Sequence, residues 1–463
     1  MTRRHRHPRG HSPSPSAGTP LSRRDLLKTA GLAGAALALP GADLLAATPR
    51  PDPALAAPAT MMGVPFERRD EARIAVVGVG GRGSSVVGEL LGVEGARITA
   101  LCDVVPAQVQ NAAARITAKG FPAPAQFTAG ERDFERLVQR DDIDLVYTAT
   151  PWEWHVPVCL AAMKAGKHAA TECPAAMTLD DCWELVKTSE ATRRHCLQLE
   201  NCTYGFNEML VNTMVKAGVF GDVLYAEAAY IHDLRSLLFS DEGEGLWRRA
   251  PHTTREGNFY PTHGLGPVSW YLDIHKGDRF DYLVSMATPE HGLSLWREAH
   301  VPKSSPKWAE KYIAGDIDTS LIRTVRGKTI LLQHTVTCPT PYSRLNSIRA
   351  TKGVFLDYPP RFYLDGQKGG EQFVDIDGFK ADYTHPLWKQ LGAVASGAGH
   401  GGMDYIMAWR LVQCMREGLP PDYDVYDAAA WSAPWPLSET SLRHGSAPVR
   451  FPDFTRGAAK VTL

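Results

Sequence analysis

Apolar residues along the chain gather first into short, β-rich runs separated by helical stretches. Arg73-Ile74-Ala75-Val76-Val77 is such a run, and Gly78-Val79-Gly80-Gly81-Arg82-Gly83 follows it directly. Residues 84–91 then have the polarity of a helix. A second run, residues 97–102, ends at Asp103. Residues 144–149 read as a buried strand, Thr150-Pro151-Trp152-Glu153-Trp154-His155 as a loop, and the stretch to Gly166 as a helix. Two further strands, 167–172 and 195–200, flank a helix over 178–193. Repeated strand–helix units predict an α/β domain, a doubly wound Rossmann-type parallel sheet over residues 68–203.

The pattern changes after Gly205. A helix over 207–217 and a strand over 223–233 precede a polar, aromatic-rich loop that runs to Pro261. Segments 282–286, 319–325, 329–336 and 346–350 alternate as antiparallel strands do, and a helix is predicted over about 404–417. This predicts an α+β substrate-binding domain with an open, mostly antiparallel sheet over 204–440. Residues 441–463 read as a Pro-rich and polar tail.

Residues 1–57 do not read as structure. A basic start with Arg3 and Arg4 leads to Ser22-Arg23-Arg24-Asp25-Leu26-Leu27-Lys28, then an Ala/Leu/Gly run from Thr29 to Leu39, then Pro40. Charged, apolar and small-residue regions in that order make a signal peptide, with Ala54-Leu55-Ala56 as a possible cleavage site. The paired arginines resemble the twin-arginine signal, whose route moves folded proteins. The expected location is periplasmic or extracellular, and the apolar run is too short for a stable membrane anchor.

Composition changes this picture little. The 463 residues are 44% hydrophobic and 22% charged, with a formal net charge of −1. Nothing there asks for nucleic acid or an anionic membrane surface as partner. The eight cysteines include no CxxC spacing, so buried thiols are expected, with neither a metal site nor a disulfide framework.

The strand–glycine turn–helix context gives the glycine motif its chemistry. Gly78, Gly80, Gly81 and Gly83 permit a tight turn and close approach of backbone N–H groups to a pyrophosphate. The helix N-terminus adds partial positive charge. Asp103 lies twenty residues after Gly83, placed to accept from an adenosine ribose, which favours NAD; Arg82 leaves room for a 2′-phosphate and so for NADP. Ligand-facing residues are expected at the strand ends: Asp103, the 150–155 loop, Glu172 and Asn201.

Further segments carry a resemblance. They are Thr150 to His155, Glu172-Cys173-Pro174, Glu200-Asn201-Cys202-Thr203-Tyr204-Gly205, Tyr230-Ile231-His232-Asp233-Leu234-Arg235, the block from Gly257 to Pro267, Gly277-Asp278-Arg279-Phe280-Asp281-Tyr282 and His400-Gly401-Gly402-Met403-Asp404. Together they resemble the Gfo/Idh/MocA oxidoreductases, and within them glycoside hydrolase family 109, typified by NAD-dependent α-N-acetylgalactosaminidase. Sugar dehydrogenases of this type carry a lysine where this chain has Cys173. A thiol there reads as a buried spacer.

The resemblance implies redox-assisted hydrolysis. Hydride leaves C3 of the sugar for NAD⁺, the ketone acidifies the C2 proton, and the C1 group departs by elimination. Water then adds and the hydride returns. No carboxylate pair demands the usual glycosidase role; Glu153, Glu172, Asp233 and Glu256 are the candidates for it. His263 is the first catalytic candidate, since an imidazole titrates near neutral pH, and Tyr230 the second. Tyr230, Arg249, Tyr260, Pro261, Thr262, His263 and Tyr342 are expected to bind the sugar. The expected cofactor set is the glycine motif with Arg82, then Asp103, Trp152, Glu153, Trp154, His155, Glu172, Cys173, Asn201 and Tyr260. The substrate class implied is a glycan with a terminal N-acetylgalactosamine-like sugar. The alternatives are an NAD(P)-dependent sugar or cyclitol oxidoreductase, or a non-catalytic sugar sensor. The open sheet face is a possible homodimer contact.

Overall fold

The computed structural model describes residues 59–368 and 370–461; the leader expected over 1–57 lies outside them. The first sheet has six parallel strands in the order β3-β2-β1-β4-β5-β6. They are β1 (Ala72–Val77), β2 (Ala96–Cys102), β3 (Ala125–Phe127), β4 (Leu145–Thr148), β5 (His168–Thr171) and β6 (Cys196–Gln198). β1 is central and buried along nearly its whole length, because helices cover both faces of a parallel sheet. The helices are α1 (Gly81–Leu90), α2 (Pro106–Ala118), α3 (Trp152–Lys164) and α4 (Leu179–Thr192). Strand order reverses between β1 and β4, so a cleft opens at their C-terminal ends. The glycine motif and the segment after Thr148 both lie there.

One sequence expectation is corrected here. The 150–155 segment is not a loop throughout: α3 begins at Trp152, with Pro151 before it at φ −53°. The ring of Pro151 presets the backbone for helix entry.

The second sheet has nine strands in the order β14-β13-β12-β11-β7-β10-β9-β8-β15. They are β7 (Val223–Ile231), β8 (Phe280–Ala287), β9 (Asp318–Thr324), β10 (Thr329–Thr335), β11 (Ser347–Ala350), β12 (Gly353–Leu356), β13 (Arg361–Leu364), β14 (Val374–Asp375) and β15 (Val449–Arg450). Every pair is antiparallel except β7 with β10. Ala226, Ala228, Ile322, Ile330, Leu332, Ile348, Phe355 and Phe362 are fully buried on one face. The helix α6 (Thr262–Leu272) packs on β7, and α5 (Phe206–Lys216) packs against α6. The opposite face leaves Met286 and Leu321 more than half exposed.

The C-terminal region departs from the expected division. α7 (Met403–Glu417) packs on α1, and α8 (Val425–Ser432) packs on α4 and β6. α9 (Pro434–Arg443) covers β8. The Ser432 hydroxyl accepts from the backbone N–H of Ala175 (3.0 Å) and donates to Gln198 (3.0 Å). The stretch expected as a tail over 441–463 is, as far as 461, packed structure: β15 pairs with β8, and Phe451 and Phe454 are buried. Spacing two aromatics three apart in a Pro-rich segment hides a core contribution behind loop-like composition. All eight cysteines are free thiols, seven of them buried. Among the described residues no helix is long and apolar enough to cross a membrane.

Candidate functional site

The glycine turn fits a dinucleotide. A Cβ on Gly80 or Gly81 would meet no atom within 4 Å, so backbone there faces open space. α1 has no side-chain cap, which leaves its first N–H groups to an anion. Asp103 accepts from the N–H groups of Val79 (2.8 Å) and Val105 (2.9 Å). These bonds draw the acid against the turn, and a carboxylate still has lone pairs for a ribose.

Arg82 behaves differently from the expectation that it leaves room for a 2′-phosphate. Its Nε donates to Glu172 (2.8 Å) and its NH1 to Asp404 (2.7 Å). Burial alone would weaken its charge, but Glu172, Tyr147 and Asp404 hold its pKa above the ordinary value. Glu172 also accepts from Tyr147 (2.6 Å). Asn201 donates to Asp404 (2.6 Å), and His400 Nδ1 lies 2.8 Å from the same carboxylate. Despite burial, His400 and Arg82 hold Asp404 well below its usual range. Arg82, Glu172 and Asn201 thus meet in one ion-pair network that ties α1, β5 and α7 together.

The four residues that open α3 separate by helical geometry, since positions three apart share a face. Trp152 is buried against Trp247, Tyr260 and Trp435. His155 is buried with Nδ1 2.8 Å from the Pro174 carbonyl and Nε2 2.9 Å from that of Thr150. It braces two turns. Glu153 is exposed, and Trp154 packs edge-on to Phe134 within the first domain.

The centre of the site is His263, the second residue of α6. Its Nδ1 lies 2.7 Å from Glu200 Oε1. Glu200 is fully buried and also accepts from the Cys202 N–H (3.1 Å) and the Cys173 thiol (3.2 Å). Burial would push the Glu200 carboxyl up, but His263 and these donors bring it below its ordinary value. An ionised acid on Nδ1 fixes the imidazole tautomer with its Nε2 lone pair free. Glycines make the contact possible: a Cβ at Gly266 would lie 2.6 Å from Glu200 Cγ, and one at Gly264 2.4 Å from the Ala229 nitrogen. Cys173, Glu200 and His263 offer ligand atoms within 4.8 Å of one another. Burial, then Glu200, raises the Cys173 thiol well above its usual range. It stays protonated and serves as a donor, where a metal would require a thiolate.

Aromatic rings wall this centre. Tyr260 and Tyr230 lie 4.8 and 5.6 Å from the His263 ring and 4.6 Å from each other. The Tyr230 hydroxyl is 3.1 Å from His232 Nδ1, and burial raises its pKa, so Tyr230 keeps its proton at neutral pH. Pro261 and Thr262 are buried behind. Tyr342 stands 6.2 Å from Tyr230 and is more than a third exposed.

The arginine expected to contact sugar is not the one that faces this centre. Arg249 is held by Glu310 (2.8 and 3.0 Å) and by the Leu238 and Gly245 carbonyls. Its neighbour Arg248 instead sits 5.2, 5.0 and 5.8 Å from the Trp152, Tyr260 and Tyr230 rings, with its NH1 on Glu244. Arg248 and Glu200 are the two residues that sequence reasoning missed. Glu200 opens the segment Glu200 to Gly205, so its signal was present; Arg248 lies in a loop with no periodicity to orient it. Of the candidate carboxylates, Glu172 and Asp233 are engaged, the latter by both arms of Arg235 (2.8 Å each), and Glu256 is partly exposed.

Residues 204–461 match the family described as glycosyl hydrolase 109, C-terminal domain. Residues 72–199 match the oxidoreductase family with an NAD-binding Rossmann fold, and residues 20–40 the twin-arginine translocation pathway signal sequence. A glycosyl hydrolase family 109 protein of Solibacter usitatus (strain Ellin6076) is 54% identical over 439 residues, covering 94% of this chain and 97% of its own. One from Saccharopolyspora erythraea is 53% identical, covering 96% of each. Among solved structures, an oxidoreductase domain protein from Kribbella flavida shares the fold at TM-score 0.65 and 18% identity, over 83% of this chain and 100% of that one. A levoglucosan dehydrogenase in complex with NADH and levoglucosan does so at 0.64 and 16%, again over 83% and 100%.

Proposed function

Because the chain belongs to glycosyl hydrolase family 109, we propose that it is an NAD-dependent glycosidase acting on N-acetylgalactosaminides. The glycine turn and Asp103 would hold NAD, which when bound would supply a hydride acceptor and donor for sugar C3. His263 Nε2 takes the proton of the 3-hydroxyl and later returns it. Tyr230 donates to a sugar oxygen. Arg248, Trp152 and Tyr260 wall the inner end of the site. A ketone at C3 would acidify C2, so that the C2 proton passes to solvent as the C1 substituent leaves by elimination; water then adds, its proton to C2 and its hydroxyl to C1.

The observation that carries this reading is the Glu200–His263 pair. The acid nearest the centre is spent on orienting a histidine, which suits proton movement at a hydroxyl. The two free carboxylates of ordinary glycosidases have no counterpart around His263 among the described residues. Cys173, protonated and bonded to Glu200, does not replace the lysine of the sugar dehydrogenases. The match to a twin-arginine signal supports export as a folded holoprotein to the periplasm or beyond. A cofactor reoxidised within each turnover needs no supply there.

The test is incubation with p-nitrophenyl α-N-acetylgalactosaminide in D₂O. The expected result is released nitrophenol, deuterium at sugar C2 and no net NADH. NADH accumulating without aglycone release would mean an oxidoreductase, and no turnover with tight sugar binding would mean a sensor.

Glu200→Gln tests the orienting role. An amide N–H facing Nδ1 favours the wrong tautomer, so kcat should fall about 100-fold, as general acid–base steps allow. NAD content should be unchanged. The same variant has a stability signature. Glu200 has a folded pKa below its unfolded one, so its contribution is present above the unfolded pKa and is lost as pH falls through the folded value. Thermal melts of the variant from neutral to acid pH should show a shallower loss than wild type; parallel curves would count against the pairing.

A further inference from the structure

The aromatic wall does not end at the sugar site. From Tyr230 it passes to Tyr342 at 6.2 Å and on to Tyr358 at a further 6.2 Å. The inner members are sealed: Tyr230, Tyr260, Trp152 and Arg248 are all at most 9% exposed. Tyr342 and Tyr358 are each 37% exposed.

The undersides of the two outer tyrosines are fixed by one buried charge. Arg344 lies 5.6 Å from the Tyr342 ring and 5.8 Å from that of Tyr358, and donates to the Tyr342 hydroxyl (3.0 Å). Its other arm is paired with Glu208, and both are buried. The guanidinium attracts both ring faces, which holds the outer tyrosines in place although their other faces meet solvent.

The backbone carries strain at the same place. Leu345, Asn346 and Tyr358 are non-glycine residues at φ 58°, 43° and 59°. A bulky residue in the left-handed region is a genuine outlier, and such outliers gather at ligand clamps. Asp357 keeps it in place, accepting from the Tyr358 N–H (2.8 Å) and from Asn346 Nδ2 (3.1 Å). The bland alternative is a surface turn. A turn would be met more easily by Asn or Gly than by an exposed tyrosine forced left-handed.

We propose that Tyr358, with Tyr342, forms a second sugar subsite on the leaving-group side, so that the substrate is a glycan whose penultimate pyranose stacks on Tyr358. Aromatic faces provide rigid apolar platforms with a polar edge, as the C–H face of a pyranose requires. The exposed tyrosines lie beyond the buried inner rings, where a second pyranose attached to the first would meet them. This rests on the glycosidase reading.

The experiment compares N-acetylgalactosamine with N-acetylgalactosaminyl-α-1,3-galactose on the holoprotein. Binding is measured by calorimetry with His263→Asn introduced into every protein compared, so that the disaccharide is not consumed, and hydrolysis by product analysis with His263 intact. Wild type should bind the disaccharide about tenfold more tightly than the monosaccharide. Tyr358→Asn, which suits the left-handed backbone and should not lower Tm, should reduce that ratio to about one, and Tyr358→Trp should preserve it. Equal ratios in wild type and Tyr358→Asn, with hydrolysis intact, would overturn the subsite and leave the glycosidase reading standing. A tenfold preference lost in Tyr358→Asn, without hydrolysis, would keep the subsite and remove that reading. Failure of wild type to bind either sugar would overturn both.

Discussion

Replacing His263 by alanine is expected to cut turnover by about 10⁴-fold, the upper end for a general acid–base group, while purified protein still carries NAD. The upper end is expected because the same Nε2 would act on the same hydroxyl in both directions of the redox cycle. Alanine also deprives buried Glu200 of a partner, so lost folding must be separated from lost chemistry. His263→Asn does this. Its side-chain N–H can occupy the place of Nδ1–H and donate to Glu200, yet it has no Nε2. It should melt near wild type and be as inactive as alanine. NAD released on denaturation, Tm and kcat are the three readings. Substantial activity in the asparagine variant would remove His263 from the chemistry.

The second large effect is at Gly83. A Cβ there would lie 1.8 Å from the Gly78 carbonyl oxygen. That carbonyl cannot retreat: Gly78 is at φ 80° and packs against the backbone of Ala149 and Thr150. Backbone meeting backbone puts Gly83→Ala at the top of the usual overpacking range, about 3 kcal/mol, or roughly 6–12 °C in Tm, with loss of bound NAD. Gly81→Ala is the contrast. Its Cβ meets nothing, so Tm should hold while NAD content falls, because the methyl enters space meant for pyrophosphate. Equal melting temperatures for the two variants would contradict this account of the turn.

These residues also show where the sequence was legible. Gly78 to Gly83 sits between a β-rich run and a helix, a context local enough to read directly, and the parallel sheet followed from its repetition. The block from Gly257 to Pro267 carried the family, and the structure explains Gly264 and Gly266 as close approaches to β7 and Glu200. What could not be read depends on direction. Arg248 and Arg249 are adjacent in a loop without a period, and only tertiary packing decides which one meets the aromatic rings. Trp152 and Trp154 look equivalent in sequence; a helix starting at Trp152 sends them to different domains. Glu200 stands in a recognisable motif, but its role depends on a partner 63 residues away that no local pattern reveals.

The return of the C-terminal helices to the first domain has a consequence for synthesis. The Arg82 network is completed by Asp404, and β6 is covered by α8. A ribosome therefore delivers every strand of the dinucleotide sheet more than 200 residues before the helices that seal it. Until those helices emerge, the nascent first domain exposes the apolar flank that α7 and α8 later cover. The ion-pair network beside the glycine turn is therefore completed only after the whole dinucleotide sheet has been synthesised.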